Sequence, residues 1–213
     1  MTTIEGTMID TETLSVGDRA MIWEVACVPF TMELATEGLT CRTGNPLHAL
    51  VNYDDADTDG LDVNFKTIAW TNKTRGNDPA WQYWKQRNLM QDGAVVLPEG
   101  LSELSIREIH EGMKNMVGVN PIWFRNSAFD VPRLDRMFAA IGDKTPWHRR
   151  QQSDLYSLIN VAKQTIGYED VAPASTEHHA AGDAISQIGQ LANLLKRLNL
   201  VPAMPVATTG MGF

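Results

Sequence analysis

Extended apolar segments open the chain, a short apolar strand follows in its middle, and helical patterns dominate the second half; that order predicts an α/β layered domain rather than a bundle or a sandwich. The first strand is expected over residues 6–10 (GTMID) and the second over 20–30 (AMIWEVACVPF), and the turn-rich Ser15-Val16-Gly17-Asp18 between them predicts an antiparallel pair. A third strand is expected at 48–53, bounded by Asn45-Pro46 and by the acidic, glycine-containing stretch 54–60. Asp78-Pro79 starts a helix, since Asp caps free amide groups and Pro is tolerated in a first turn; Trp81, Tyr83 and Trp84 lie on it. Leu101, Leu104, Ile109, Met113 and Met116 recur at roughly helical spacing and predict an amphipathic helix over 100–116. After the turn Gly118-Val119-Asn120, residues 121–125 (PIWFR) form a short strand, and helical patterns cover 127–141, 153–166 and 180–198. From Val201 the tail (VPAMPVATTGMGF) is proline-interrupted, small and nearly uncharged, and is expected to be disordered.

With 213 residues, 43% of them hydrophobic, the chain can bury one substantial core, so residues 1–200 are expected to form a single domain. No run of eighteen apolar residues exists, and the start of the chain lacks a basic region followed by an apolar stretch. A cytoplasmic protein without a membrane span is therefore expected. Cys27 and Cys41 have no partners at zinc-ligand spacing and are expected to be free, buried thiols. A net charge of −8 argues against coating nucleic acid by charge alone. It does not exclude chemistry on phosphates, because clustered carboxylates that hold cations count as negative only while the cations are ignored.

Three segments carry candidate chemistry. Asp10 and Glu12, at the end of the first strand, are two apart and so face the same side, where two carboxylates can grip one divalent ion. Asp130 follows the strand 121–125 within Asn126-Ser127-Ala128-Phe129-Asp130 and falls in the first turn of the next helix. His178 and Asp183 are five apart, about 140° around one regular helix, so they converge only if His178 belongs to the turn before it. Taken singly, each has a plain reading: solvated acids at a strand exit, a helix-start aspartate favoured by the dipole, and a surface histidine pair.

Together, in this order and on this background, the segments resemble the DEDDh family of 3′→5′ exonucleases. The shared pieces are Asp-x-Glu at a strand end, Asn-x-x-Phe-Asp at 126–130 and His-x-Ala-x-x-Asp-Ala at 178–184, and the likeness spans 10–183. Within that family, 10–14, 123–134 and 154–158 look most like the bacteriophage exonuclease A branch and related small bacterial exoribonucleases. The resemblance implies a ribonuclease H-like fold, a mixed central sheet flanked by helices, with the acids meeting at one edge. It implies two divalent ions, magnesium or manganese, held by Asp10, Glu12, Asp130 and Asp183, which can stabilise attacking and leaving oxygens at phosphorus. His178 would be the general base, a role suited to a group titrating near neutral pH. His179 stays open as an alternative, because its spacing of four to Asp183 imitates the tyrosine of the sister subclass.

The substrate implied is nucleic acid with a free 3′ end, DNA or RNA, single-stranded by preference; homodimers are compatible with the family. Thr11, Thr13 and Leu14 follow or flank the metal pair where relatives touch the terminal base, while Asn126 and Phe129 would shape the pocket. Between Lys66 and Arg87, five basic residues and one acid interleave with Trp70, Trp81, Tyr83 and Trp84, as single strands require, although Trp81 and Trp84 also suit a core. His148-Arg149-Arg150 reads either as a phosphate contact or as a solvated loop. A catalytically idle module that only binds nucleic acid or a partner protein is the rival reading.

Overall fold

The computed structural model describes residues 2–35, 38–54, 56–90, 95–170 and 178–198; the expected disordered tail, 201–213, lies outside them. Strand β1 (Thr2–Thr13) pairs antiparallel with β2 (Ile22–Ala35), as the turn between them predicted. β1 is longer than expected and runs through both acids, so Asp10 and Glu12 stand on a paired strand. The register shifts between Glu12 and Thr13, where Ile22 rather than Trp23 opposes Thr13. An irregularity of this kind bends a strand and re-aims the side chains beside it.

β3 (Gly38–Thr43) extends the second strand into a hairpin, and β4 (Leu47–Asn52) is the expected third strand. β3 has no apolar alternation to announce it, and its outer residues are exposed. Cys41 sits there and is exposed, which corrects the expectation that both cysteines are buried; Cys27, inside β2, is buried and its thiol is pushed up to about 12. Helix α1 (Phe65–Arg75) carries no apolar stripe and was not expected, whereas α2 (Pro79–Asn88) starts as predicted, with the Ala80 amide donating to Asp78.

The helix expected from residue 100 begins later. Leu104 belongs to β5 (Glu103–Ser105), and α3 (Ile106–Val117) starts where Ser105 and Glu108 cap each other reciprocally. β6 (Ile122–Phe124) leads into α4 (Ser127–Ala139). Residues 153 and 154, expected to begin a helix, instead belong to β7 (Gln152–Asp154), and Asp154 then caps α5 (Leu155–Ile166). α6 (Ala180–Arg197) closes the described chain. Three-residue strands such as β5 and β7 are too short to leave a periodic trace.

The sheet order is β5-β4-β2-β1-β6-β7, with β3 also on β2. β2 is antiparallel to β1 and β4, while β1·β6, β6·β7 and β4·β5 are parallel, so the sheet is mixed. Alternation along the central strands divides the core in two. Ile9, Val25 and Cys27 pack with Trp81 and Trp84 of α2, Ile109 of α3 and Leu134 of α4; Met8, Ala26 and Val28 pack with Ile159 of α5 and Ala184, Ile188 and Leu191 of α6. No helix among the described residues is long and apolar enough to cross a membrane.

Candidate active site

Because β1 and β6 run parallel, the C-terminal ends of both strands and the N-termini of α4 and α6 collect at one edge of the sheet. In open sheets this edge is where ligands bind. A cavity of about 620 Å³ opens there, and Asp10, Glu12, Asp130, His178 and Asp183 all line it. More than 160 residues of intervening chain therefore close on one point, from Asp10 to Asp183.

Strand alternation decides which helix each β1 residue meets. Asp10 and Glu12 share the face covered by α6, where the Gln187 amide donates to Asp10 Oδ1 at 2.7 Å. Thr11 points to the other face and donates its hydroxyl to Asp130 Oδ1 at 2.7 Å across α4. Thr11 is buried but also lines the cavity. Ligand atoms of Glu12, His178 and Asp183 lie within 4.8 Å of one another. His178 occupies the turn before α6, as its spacing to Asp183 demanded, with φ 49, the one non-glycine residue at positive φ among the described residues. The Trp70 ring meets the His178 imidazole edge to face at 4.8 Å between centroids.

Burial raises the Asp10 carboxyl well above its usual range, and the neighbouring Asp130 charge raises it further, against the Gln187 hydrogen bond. Glu12 is raised well above its range by burial and by Asp10. Burial raises Asp130 to about 7, although Thr11 and Arg133 pull the other way. Acids crowded out of water without compensating cations hold protons instead of charge. A hard cation relieves that repulsion, and an all-carboxylate set with one imidazole suits magnesium or manganese. Gln187 Oε1, buried without a partner, adds an acceptor beside the same acids. The residues thus fit a divalent metal.

Gln187 was not foreseen, though it stands one helical turn beyond Asp183 on the face that meets β1. Its amide fixes which oxygen of Asp10 is free. Gln187→Leu is expected to weaken manganese binding about 10-fold, measured by calorimetric titration; unchanged affinity would show that Asp10 needs no such support.

Other expectations divide. Thr13, Asn126 and Phe129 line the cavity. Leu14 does not: it is 0% exposed and packs in the core, while Val16, 77% exposed, faces the cavity two residues on. The wedge expected at Leu14 is absent because the chain turns there, with the Leu14 amide bound to Met21 O and the Leu14 carbonyl to the Asn64 amide. The basic and aromatic stretch splits. Lys66 and Trp70 line the cavity, but Trp81, Tyr83 and Trp84 are buried, with Trp81 edge-on to Trp23 at 5.1 Å. Truncating a buried Trp costs about 3–5 kcal/mol, more than the roughly 1–3 kcal/mol that stacking a base supplies, so these rings serve the core. His148 Nδ1 accepts from the Arg150 amide and caps a short 3-10 turn, Arg149–Gln151, away from the cavity.

His179 faces away from the acids. It lines a second cavity beside Arg75, Asp78 and Pro79, with Nδ1 2.7 Å from Arg75 Nη2. Behind the site, Glu24 is fully buried opposite Glu12, bound by His48 Nε2 at 2.7 Å and Arg75 Nη1 at 2.5 Å. Burial alone would raise this carboxyl; His179, His48 and Arg75 outweigh it and hold Glu24 down at about 2. A single acid inside the apolar run AMIWEVACVPF was the signal that such a partner existed, but nothing in the sequence said which.

The fold resembles that of an exonuclease I from Methylocaldum szegediense, at 14% identity and a TM-score of 0.54 over 90% of this chain. Cell-death related nuclease 4 aligns at 12% identity and a TM-score of 0.46 over 92% of this chain. The chain spans 40% of the first protein's length and 63% of the second's. No curated protein matches in sequence. The mixed sheet flanked by helices is the ribonuclease H-like fold of such exonucleases. Residues 5–195 match the 3′-5′ exoribonuclease Rv2179c-like domain, and the chain belongs to that family.

Proposed function

We propose that the chain is a metal-dependent 3′→5′ exonuclease that releases nucleoside 5′-monophosphates from single-stranded RNA. The observation that carries this reading is the convergence of Asp10, Glu12, Asp130 and Asp183, with His178, on one cavity, where burial raises the carboxyls of Asp10, Glu12 and Asp130. RNA is preferred to DNA because the family's description names exoribonucleases. Within the superfamily we place the chain near the bacteriophage exonuclease A branch, on residues 10–14, 123–134 and 154–158.

Asp10, Glu12 and Asp183 would hold one magnesium or manganese ion, and Asp10 and Asp130 a second. When bound, such ions activate water and stabilise charge on the attacking and leaving oxygens. The protein supplies the rest. Thr11 and Gln187 orient Asp130 and Asp10. A ring nitrogen of His178 takes the proton of the attacking water, and the strand's 3′ oxygen leaves as the new terminus. Trp70, 45% exposed on the cavity wall, and Val16 present apolar surface to the last bases, and Lys66 offsets phosphate charge.

Incubation with 3′-labelled single-stranded RNA and a matched DNA, with magnesium, is expected to shorten the RNA from its 3′ end and the DNA more slowly. In the same assay His178→Ala should reduce the rate about 10²–10⁴-fold, and His179→Ala less than about 10-fold. A larger loss at His179 would move the base to that residue.

A further inference from the structure

His178 holds a backbone conformation, φ 49, that a β-carbon disfavours, so something outside the turn must keep it there. Arg75 does. Its Nη1 donates to the His178 main-chain carbonyl at 2.7 Å, across 103 residues of sequence. The same guanidinium is itself aimed by a dedicated shell: Glu24 Oε2 lies 2.5 Å from Nη1, and Nη2 is bonded to Asp78 and to His179 Nδ1. Its carbon lies 4.4 Å from the centroid of the Trp23 ring. Arg75 is only 4% exposed, which puts it out of reach of a substrate phosphate.

We infer that Arg75 is the positioning residue of the catalytic base: its guanidinium, aimed by Glu24 and Asp78, fixes the main chain of His178 so that the imidazole stands beside Glu12 and Asp183. This rests on the reading of His178 as the base. The placement follows from topology. Glu24 is the residue of β2 opposite Glu12 on β1, and Arg75 ends α1, so one planar cation links the hairpin that carries two acids to the turn that carries the base. The second histidine has its part here, with its Nδ1 2.7 Å from Nη2. A lysine cannot replace this fork, because an ammonium cannot serve carboxylates and carbonyl in one plane.

The test uses the full chain carrying Arg75→Lys, and Asp78→Asn as a milder variant, since Asn keeps the helix cap and removes the charge. Each is made alone and in a His178→Ala background, with kcat and KM measured on 3′-labelled single-stranded RNA and manganese affinity measured separately. Arg75→Lys is expected to lower kcat about 30–100-fold, as a misplaced reacting group does. KM and manganese affinity should stay within about 3-fold. Asp78→Asn should lower kcat about 3–10-fold with the same pattern, and either change should cost less than about 3-fold once His178 is gone. Equal losses in both backgrounds, or losses carried by manganese affinity, would overturn the inference and leave the base assignment standing. An undiminished His178→Ala enzyme would remove the base assignment itself, and the inference with it. If the Lys variant does not fold, the Asp78→Asn cycle decides on the same terms.

Discussion

Asp183→Ala is expected to reduce 3′-end shortening at least ~10³-fold, and Asp10→Asn to do the same, because each removes a carboxylate from the set that would hold the cations stabilising the transition state. The two differ in what else they reveal. Asp10 is raised by burial and by the Asp130 charge, so in metal-free protein it works against folding. Asn keeps an oxygen for the Gln187 amide and removes the repulsion. Relief of about 1 kcal/mol shifts the melting midpoint of a domain this size by roughly 2–4 °C. Asp10→Asn should therefore melt higher than the parent chain without metal and lower than it with manganese. An inactive variant that is also unstable without metal would instead mean that Asp10 is structural. Full activity in the Asp183→Ala protein would end the exonuclease assignment at this site.

Manganese should raise the melting midpoint of the metal-free chain by about 5–10 °C at a concentration near 100 times Kd, where linkage supplies about 2.7 kcal/mol. The gain should grow as pH rises from about 4 to about 7. Asp130 titrates near 3.8 ordinarily and at about 7 in the fold. Its folded pKa is raised, so the stability it lends is complete below the lower value and is lost as pH climbs through the higher one. Asp10 and Glu12, also raised, act with the same sign. Glu24 acts oppositely: held at about 2 against 4.5, it stabilises above the higher value and stops doing so as pH falls toward the lower. The raised acids should thus make the metal-free protein lose stability as pH rises from about 4 toward about 7. Bound cations replace the protons on the raised acids, which is why their benefit increases with pH. Thermal melts from pH 3 to 8, with and without manganese, measure both. A metal effect that shrinks with rising pH, or none at all, would contradict the reading of these acids as ligands, and an idle fold would give the second result.

What could be read before the structure was local. Asp10 and Glu12 share a face because a strand repeats every two residues, and Asp78-Pro79 and the turn at His178 follow from capping and helical geometry over a few positions. The order of the acids along the chain, with the residues around them, was enough to point to 3′→5′ exonucleases. Spacing favoured His178 and left His179 open; the fold turns the first imidazole toward Glu12 and Asp183 and the second toward Arg75.

The remaining decisions belong to tertiary structure, and each turns on contacts between residues far apart in sequence. Trp70 and Trp81 sit in the same stretch of basic and aromatic residues, yet one lines the cavity and the other fills the core, because α1 flanks the open edge of the sheet while α2 packs on its face. Leu14 enters the core and Val16 faces the cavity, because the chain bends where the register of β1 and β2 shifts. Glu24, Arg75 and Gln187 stand in no motif at all: their partners lie 51, 103 and 177 residues away. Amino-acid sequence alone determined the residue types and their local periodicity, and with them β1, β2, β4 and β6, the cap at Asp78 and the acids. Which side chains face one another across the sheet was decided only by folding, since a hydrogen bond or ion pair depends on a few ångströms of separation that a position in the chain does not specify.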